Sequence, residues 1–512
     1  MSMLAVDDFR PDWEIWNEFA RGRTNALEVD SLTTTRPIEY EVHSPDDASG
    51  MFDTLTYVKG GAVLRMLEQW LGAERFRDGI RRYLGKHAYG NTETHDLWDA
   101  LEEESGEPVR RVMDAWIFQR GYPAISVELD GDRLRFSQRR FLLSGDEDGT
   151  TWPVPLMVRQ VAGDEERLDR ILIEADGAEL DVLSPDAVVV ANAGASSFVR
   201  VVYDDELRSR LVARAMDVVS PIERYTVVDD AWAAVVAGRA SAASFVDLVA
   251  GLGAEVDLRV WQAILGGLGW FDRFLEGDAR EGLRSFVRDL IRPALERLGW
   301  EPVEGEPDLT RALRGQLVQS LAILGADPEA QAHTRELELD GSGEPQLLQA
   351  AVEAVAADGT AEDFERYWER YRDATTPQEE ERYLFAMARF PGATEIRRLL
   401  DASVSDDVRT QDAPYLLARS TTNRQHGPTV WRFIAERWDL MQDRFASSNI
   451  IGLVSGIRYL SDPDVVREVE AFFETHDIPQ NHLMLLQGLE RMRQATALRA
   501  RVTPELVERF GT

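Results

Sequence analysis

The chain has 512 residues, of which 44% are hydrophobic and 9% aromatic, a composition that supports several packed domains and excludes wholesale disorder. Lysine and arginine number 57 against 91 aspartates and glutamates. The resulting formal charge of -34 repels phosphate, which excludes a generic binder of nucleic acid or anionic membranes. Cysteine is absent, which excludes disulfides, thiolate metal sites and cysteine nucleophiles.

The basic residues are unevenly chosen, because lysine occurs only at Lys59 and Lys86 and every other basic side chain is an arginine. An acidic surface with almost no lysine suits a protein that works in concentrated salt, where ions screen its self-repulsion. We therefore expect a halophilic protein; an acidic protein encoded by a GC-rich genome is the alternative. Residues 1–13 lack the pattern of a signal peptide, and no apolar run approaches the ~18 residues that span a bilayer, so we expect a cytoplasmic location.

Residues 1–121 have a helical period. An apolar stripe predicts a helix that stops at Gly72. Thr94 is the expected N-cap of a second helix, which should end before Gly106. Pro108 suits the first turn of a third helix. The segment is therefore predicted to be helical throughout.

Residues 122–205 change to a period of two, and Asp130-Gly131-Asp132 is typical of a hairpin turn. The predicted strands lie at 125–129, 134–136, 154–158, 168–173, 188–190 and 198–203. Short strands between turns predict a small antiparallel β-sandwich.

Residues 206–512 are helical again, with apolar stripes of about ten to fifteen residues separated by Gly, Pro and Asp. Helix pairs stacked over such a length favour a solenoid-like array over a single bundle. The predicted fold class is therefore mainly α with a small β-sandwich, followed by an α-helical, solenoid-like C-terminal domain.

One segment in the first region resembles a known motif. Residues 52–60 read Phe-Asp-Thr-Leu-Thr-Tyr-Val-Lys-Gly. They are similar to the Phe-Asp-x-x-x-Tyr-x-Lys-Gly motif of the gluzincin zinc aminopeptidases, the family of aminopeptidase N and puromycin-sensitive aminopeptidase. Further similar blocks, in the family's order, are Asp30-Ser31-Leu32, Pro37-Ile38, Tyr89-Gly90-Asn91-Thr92, Asp96-Leu97-Trp98, the segments 116–123, 192–203, 229–231 and 260–261, Gln411-Asp412, Trp431 and Trp438.

The resemblance covers essentially the whole chain and implies its domains. Residues 1–121 would be the C-terminal helical part of a thermolysin-like catalytic domain, and 122–205 a β-sandwich. Residues 206–512 would be a superhelical domain like the C-terminal domain of the endoplasmic-reticulum aminopeptidases. The family removes single residues from peptide N-termini.

The family's chemistry needs zinc, held by His-Glu-x-x-His on one helix and a Glu on the next. None of the seven histidines is followed by Glu-x-x-His, and no two histidines stand four residues apart. His87 and His95 flank a loop without a carboxylate at ligand spacing, so we interpret them as ordinary polar positions. We expect that this chain as written binds no zinc and is inactive alone.

By the same resemblance, Tyr57 is the one catalytic residue of the family that is present. A phenol is protonated at neutral pH and can donate a hydrogen bond to the oxyanion that forms on the scissile carbonyl. Phe52 resembles an aromatic residue that lines the pocket for the substrate's first side chain. A core tyrosine and a core phenylalanine are the alternatives. Arg36 replaces the family's usual His, which we interpret as a local structural change.

The leading interpretation is the C-terminal portion of a zinc aminopeptidase, acting on peptides. A mis-called start codon, a disrupted gene or a separately encoded N-terminal half carrying the zinc site would each account for the missing motif. The alternative is a non-catalytic peptide-binding or scaffold protein built on the helical array. We also expect that the loss of packing partners exposes the apolar residues Leu64, Leu67, Trp70 and Trp116.

Overall fold

A computed structural model describes residues 2–43, 50–145, 148–478 and 481–511. Its elements are mostly helices, with two small sheets, so the predicted fold class of mainly α with a small β region is confirmed. The structure divides into two compact units, Met1–Ala240 and Ser241–Thr512, here called the first and the second unit. Within the described part of the chain, no helix combines the length and the hydrophobicity needed to cross a membrane.

The helices of the first unit lie before and after the sheets. They are α1 (Ser2–Phe9), α2 (Ile15–Asp30), α3 (Gly60–Leu71), α4 (Ala73–Lys86), α5 (Thr94–Ser105), α6 (Val109–Phe118), α7 (Asp205–Ala213), α8 (Ala215–Val218) and α9 (Pro221–Val236). Short turns of 3-10 helix at Pro11–Trp13 and Ala193–Ala195 and a π-helix at Leu55–Lys59 accompany them.

The predicted helix boundaries hold to within one residue. Helix α3 is followed by Gly72 with φ +86° and α5 by Gly106 with φ +74°, and positive φ angles favour glycine. Helix α5 begins at Thr94, but its N-cap is Glu93, not Thr94. Glu93 forms a capping box with Asp96, so the acidic pair satisfies the free N–H groups that a threonine was expected to cap.

The sandwich contains all the predicted strands. Its strands are β1 (Pro123–Asp130), β2 (Arg133–Arg140), β3 (Val154–Ala162), β4 (Glu165–Ile173), β5 (Ala178–Asp181), β6 (Val188–Ala191) and β7 (Arg200–Tyr203). They form sheets of order β5-β2-β1-β7 and β4-β3-β6. The predicted hairpin joins β1 to β2, where Asp130 pairs with Arg133 around Gly131.

The expectation of a purely antiparallel sandwich is wrong, because β7 pairs with β1 in parallel. All the other strands of the sandwich lie between these two in sequence, and this long connection lets the chain return in the same direction. Strand β5 was not predicted. It is a short edge strand without buried residues, so its sequence carries no apolar alternation.

The expected exposure of apolar residues in the first unit is also largely wrong. Leu67, Trp70 and Trp116 are buried, and only Leu64 is partly exposed, at 37%. The indole N–H of Trp116 donates to Pro153 O at 3.0 Å, and its ring packs against Trp152. The sandwich therefore supplies the apolar cover that the helices of residues 1–121 need.

A buried charged cluster joins α2, β7 and α9 in the first unit. The Arg200 guanidinium donates to Asp229 and, at 3.0 Å, to Asp230 Oδ1. Asp229 also accepts from Thr24 Oγ1 at 2.8 Å, and Asp230 from Val201 N at 2.9 Å. Burial raises the pKa of Asp230 to about 6, although Arg200 opposes this.

The second unit is helical throughout the residues that the structure describes. Its helices are α10 (Ala242–Ala250), α11 (Leu258–Phe274), α12 (Gly277–Leu298), α13 (Asp308–Ile323), α14 (Pro328–Asp340), α15 (Pro345–Ala357), α16 (Ala361–Asp373), α17 (Pro377–Ala386), α18 (Ala393–Ser403), α19 (Ala413–Thr421), α20 (Gly427–Glu436), α21 (Trp438–Arg444), α22 (Ser447–Val454), α23 (Pro463–Phe473) and α24 (His482–Phe510).

Alternate helices of this unit are neighbours, since α13 packs against both α11 and α15. The last helix, α24, returns to α10, α11 and α12. Ala242 N there donates to Glu505 Oε2 at 2.8 Å, which ties the start of the unit to its end. The last helix of the second unit therefore packs against the first helices of the same unit.

Candidate active site segment

Tyr57 lies at the centre of the π-helix Leu55–Lys59, which continues directly into α3. The preceding Asp53 begins this turn, because its Oδ1 accepts hydrogen bonds from Leu55 N at 3.0 Å and Thr56 N at 2.9 Å. A single π-turn inside helical structure changes the direction of its side chains and is frequent at functional sites. The motif therefore forms the start of a helix, where Asp53 caps the first backbone N–H groups and the first turn is a wider π-helix.

Arg36 holds this segment from the side. The side chain is buried, and its Nη2 lies 2.6 Å from Asp53 Oδ1 and 2.9 Å from Thr56 Oγ1. Its Nη1 donates to Pro37 O at 2.7 Å. The arginine that departs from the family's usual histidine therefore has a definite structural role: it braces the capping aspartate.

Lys59 anchors the other end of the segment. Its Nζ is 2.8 Å from Asp30 Oδ2 and donates to Gly121 O at 3.1 Å, and neither side chain of the ion pair is exposed. Asp30 Oδ1 in turn accepts from Gly121 N at 2.9 Å. Gly121 has φ +86°, and a Cβ there would lie 2.6 Å from Arg140 Nε, so glycine is required. Three segments far apart in sequence are joined by this one buried pair.

Tyr57 and Phe52 lie on the surface of this braced segment. Their side chains are 62% and 75% exposed, which contradicts the alternative of core packing, and their ring centroids are 6.2 Å apart. Among the described residues, the Tyr57 hydroxyl has no hydrogen-bond partner. The structure thus combines an exposed phenol with an adjacent exposed apolar ring on rigid support, an arrangement able to donate a hydrogen bond to a bound carbonyl.

His87 and His95 form no metal site with other described residues. His95 Nε2 is 3.2 Å from Asp114 Oδ1, and His87 Nε2 is 3.8 Å from Asp96 Oδ1, so each histidine has one carboxylate neighbour. Zinc needs three or four ligands. No group of three or more His, Cys, Asp or Glu side chains in the described ranges is placed to hold a metal ion.

The comparison with protein families divides the chain in two. Residues 1–116 match the peptidase family M1 domain, and residues 188–494 match the ERAP1-like C-terminal domain. These two domains define a zinc-dependent class of aminopeptidases. The chain belongs to this M1 aminopeptidase family.

Its relatives include plant and archaeal proteins. Aminopeptidase M1-A of Oryza sativa subsp. japonica is 31% identical over 96% of this chain and 58% of its own length. Aminopeptidase M1 of Arabidopsis thaliana is 30% identical over 96% of this chain and 59% of its own length. Tricorn protease-interacting factor F2 of Thermoplasma volcanium is 36% identical over 64% of this chain and 40% of its own length. The chain thus spans less than two thirds of each of these relatives.

The motif residues were visible in the sequence, but their supports were not recognised. Asp30 and Gly121 both lie in blocks that resemble the family, and Lys59 is one of only two lysines in the chain. No local pattern pairs Asp30 with Lys59, because they stand 29 positions apart. A buried position for the lysine could have been suspected from its rarity alone.

Proposed function

We propose that this chain is the C-terminal portion of a zinc aminopeptidase that removes N-terminal residues from peptides, with Tyr57 as the donor to the oxyanion and Phe52 beside the substrate's first side chain. The observation that carries the proposal is the exposed Tyr57 hydroxyl on a segment held rigidly by Arg36 and Lys59. A fixed donor needs no reorganisation when charge develops on the substrate, which is why such donors accelerate acyl transfer.

The zinc would come from outside the described residues. When bound, zinc lowers the pKa of a water molecule so that it can attack the peptide carbonyl. We propose that the zinc ligands, including the His-Glu-x-x-His motif that these 512 residues lack, lie outside this sequence, on an N-terminal portion of the protein or on a separately encoded polypeptide, and that this chain is inactive without them. The role of the chain itself would be to place Tyr57 and Phe52 against the peptide.

The first test is a zinc and activity measurement on the purified chain. We expect no stoichiometric zinc by mass spectrometry and no turnover of a chromogenic aminoacyl substrate when zinc is added. Stoichiometric zinc with turnover would overturn the proposal that the metal site lies elsewhere.

The second test assembles the chain with a polypeptide that carries the zinc motif of a relative. Turnover in the mixture should fall by about 10²–10³ in kcat for Tyr57→Phe, the usual effect of removing one oxyanion donor. Tyr89→Phe is the matched control, because Tyr89 is another exposed tyrosine of the first unit. Equal losses for both variants would contradict the role of Tyr57.

A second candidate function is peptide binding without catalysis. A groove of about 410 Å³ in the second unit, between α11, α13 and α15, supports it. Peptide binding by the chain, with no turnover in any assembly, would favour this alternative. Turnover in the assembled protein would favour the peptidase.

We further propose that the protein works in a salt-rich cytoplasm and contacts neither nucleic acid nor membranes. The formal charge of -34 and the presence of only two lysines support this. Because salt screens repulsion between the acidic side chains, the free energy of unfolding in urea should rise from low to multimolar KCl. A free energy of unfolding that does not change with salt would contradict a halophilic protein.

A further inference from the structure

Two arginines of the second unit share one buried carboxylate. Glu353 lies on α15 and is buried, and each of its oxygens accepts a hydrogen bond from a different guanidinium. Oε2 accepts from Arg389 Nε, at the end of the 3-10 turn Met387–Arg389, and Oε1 accepts from Arg419 Nη2 on α19. The two arginine side chains are 41% and 39% exposed, so solvent reaches them although it does not reach the carboxylate.

Two further arginines have no carboxylate partner among the described residues. Arg273, at the end of α11, donates from Nη1 to Thr422 O at 2.7 Å and from Nη2 to Tyr459 O at 3.3 Å. Arg458 Nη2 donates to the Tyr459 hydroxyl at 3.0 Å. The two guanidinium groups lie over the Tyr459 ring, 5.3 Å and 4.9 Å from its centroid. Neutral oxygens and an aromatic ring therefore orient both side chains without neutralising their charge.

The two pairs of arginines lie close enough to act on one another. Burial lowers the pKa of Arg273, and the positive charge of Arg389 contributes to this effect. Burial also lowers the pKa of Arg419, again with a contribution from Arg389, although Glu353 opposes it. The surroundings thus disfavour the charged forms, which a bound anion would favour. Arg273, Arg389, Arg419 and Arg458 are here called the arginine group.

The acidic residues that flank Arg273 in sequence are already paired. Both oxygens of Asp272 accept from Arg280, at 2.7 Å and 3.0 Å, and Glu276 Oε1 accepts from Arg424 at 2.7 Å. The arginine group and Glu353 together therefore carry an excess of three positive charges. Because partly buried charges are costly without counter-charges, this local excess in a chain of formal charge -34 needs an anion.

The arginine group also has hydrogen-bond donors that remain unused. A guanidinium has five N–H groups, and the contacts described above occupy one or two on each arginine. Arg419 Nε is buried and has no partner among the described residues. Phosphoryl groups suit such donors, since each offers three strong acceptor oxygens to guanidinium groups, whereas a carboxylate offers two and carries less charge.

We propose that the arginine group is a binding site for a small anion that carries phosphoryl groups, of the size of inorganic pyrophosphate. Two linked phosphoryl groups carry enough negative charge to neutralise the local excess. The overall charge of the protein repels long polyphosphates, but a small anion in contact with the arginines is attracted mainly by them. The site needs neither zinc nor the Tyr57 segment, so it is independent of the proposed peptidase activity.

The first test measures binding of inorganic pyrophosphate to the full chain by isothermal titration calorimetry, without zinc and at one KCl concentration in which the chain is folded. Arg389→Gln removes a charged donor and should weaken binding at least about tenfold. Arg467→Gln is the control, because Arg467 is exposed on α23 and its loss changes the net charge equally. No binding to the natural chain, or equal affinities of the two variants, would overturn the inference.

Glu353→Gln tests the charge balance in the opposite direction. It removes the one negative charge beside the arginine group and should strengthen pyrophosphate binding about threefold or more. Arginines that serve only to pair Glu353 would give no gain, so unchanged or weaker binding by the folded variant would contradict the site. A measurement on the natural chain accompanies this variant: pyrophosphate should raise its melting temperature, and an unchanged melting temperature would also contradict the site.

Two other anions identify the ligand. Glycerol 3-phosphate represents phosphate monoesters: if it binds more tightly than pyrophosphate, the ligand is a monoester, and the reverse order favours free pyrophosphate. Both orders support a phosphoryl site. Succinate carries two carboxylates and should bind at least about tenfold more weakly than pyrophosphate. Equal binding of succinate would show a site without preference for phosphoryl groups and would overturn the inference.

Discussion

The Tyr57 segment of the first unit and the groove between α11, α13 and α15 of the second unit hold their exposed groups in different ways. In the first unit, two buried or nearly buried ion pairs, Lys59 with Asp30 and Arg36 with Asp53, fix a short π-helix that presents aromatic rings. In the second unit, ordinary helix packing presents the neutral amides of glutamine side chains. Buried charges need specific partners, so the first site depends on single residues, whereas the second depends on a helical face that many sequences could form.

The largest expected effect is therefore at Lys59. Lys59→Met leaves Asp30 as an unpaired charge in a fully buried position and should lower the free energy of unfolding by about 3–5 kcal/mol. Urea unfolding at constant salt measures this loss of stability, and hydrogen exchange at residues 15–60 shows where it occurs. A loss below about 1 kcal/mol would contradict the anchoring role of the pair.

The chain contains its own control for that variant. Lys86, the only other lysine, is exposed at the end of α4, and Lys86→Met should change stability by less than about 0.5 kcal/mol. Adding Asp30→Leu to Lys59→Met should recover part of the loss, because it removes the unpaired charge.

In the second unit, the buried carboxylate that is most comparable with Asp30 is Asp363, at the start of α16. Burial would raise the pKa of Asp363, but hydrogen bonds from Thr360 N, Arg366 and Arg335 outweigh it and hold the pKa well below its usual range. Its stabilising effect is therefore present above the unfolded pKa of 3.8 and is lost as the pH falls below it.

Asp363→Asn should accordingly cost roughly 2–3 kcal/mol at pH 7, since two charge-assisted hydrogen bonds become weaker. Hydrogen exchange of α16 measures the loss, and the neighbouring exposed Glu362→Gln is the control. If the amides of α16 are equally protected from exchange in Asp363→Asn and Glu362→Gln, helix packing alone stabilises α16.

Asp230 in the first unit should respond to pH in the opposite direction. Burial raises its pKa to about 6, so the folded state binds this proton more tightly than the unfolded chain does. The stability it contributes is complete below the unfolded value of 3.8 and is lost as the pH rises through 6. The free energy of unfolding of the natural chain should therefore fall by on the order of 2 kcal/mol between pH 4 and pH 6 because of this group, and Asp230→Asn should abolish that fall.

Unfolding of the first unit at several pH values checks this prediction. Asp205→Asn serves as the control, because the Asp205 side chain is almost fully exposed and should not alter the pH profile. If the free energy of unfolding depends on pH in the same way in Asp230→Asn and in the natural chain, burial does not raise the pKa of Asp230.

The smallest expected effect on stability is at Tyr57 itself. Its ring is largely exposed and its hydroxyl has no partner among the described residues, so Tyr57→Phe should change the free energy of unfolding by less than about 0.5 kcal/mol. A thermal melt of the variant beside the natural chain is sufficient. A large loss would mean that the ring is part of the core and would weaken its proposed role.

Local patterns in the sequence determined much of this protein. Apolar periods of 3.6 and 2 predict the helical regions and all strands except β5. Glycines such as Gly72 and Gly106 mark helix ends because glycine, which has no Cβ, adopts a positive φ without steric cost. The motif around Tyr57 indicates the family through nine consecutive residues, 52–60. Each of these signals lies within a short stretch of chain.

Only the tertiary structure decided the rest, because it depends on contacts between distant segments. The burial of Trp116 under the sandwich, the parallel pairing of β7 with β1 and the ion pair of Lys59 with Asp30 all join residues far apart in sequence. The glutamines of the groove stand on three separate helices and form no motif. They line one groove only because helix packing brings those three faces together.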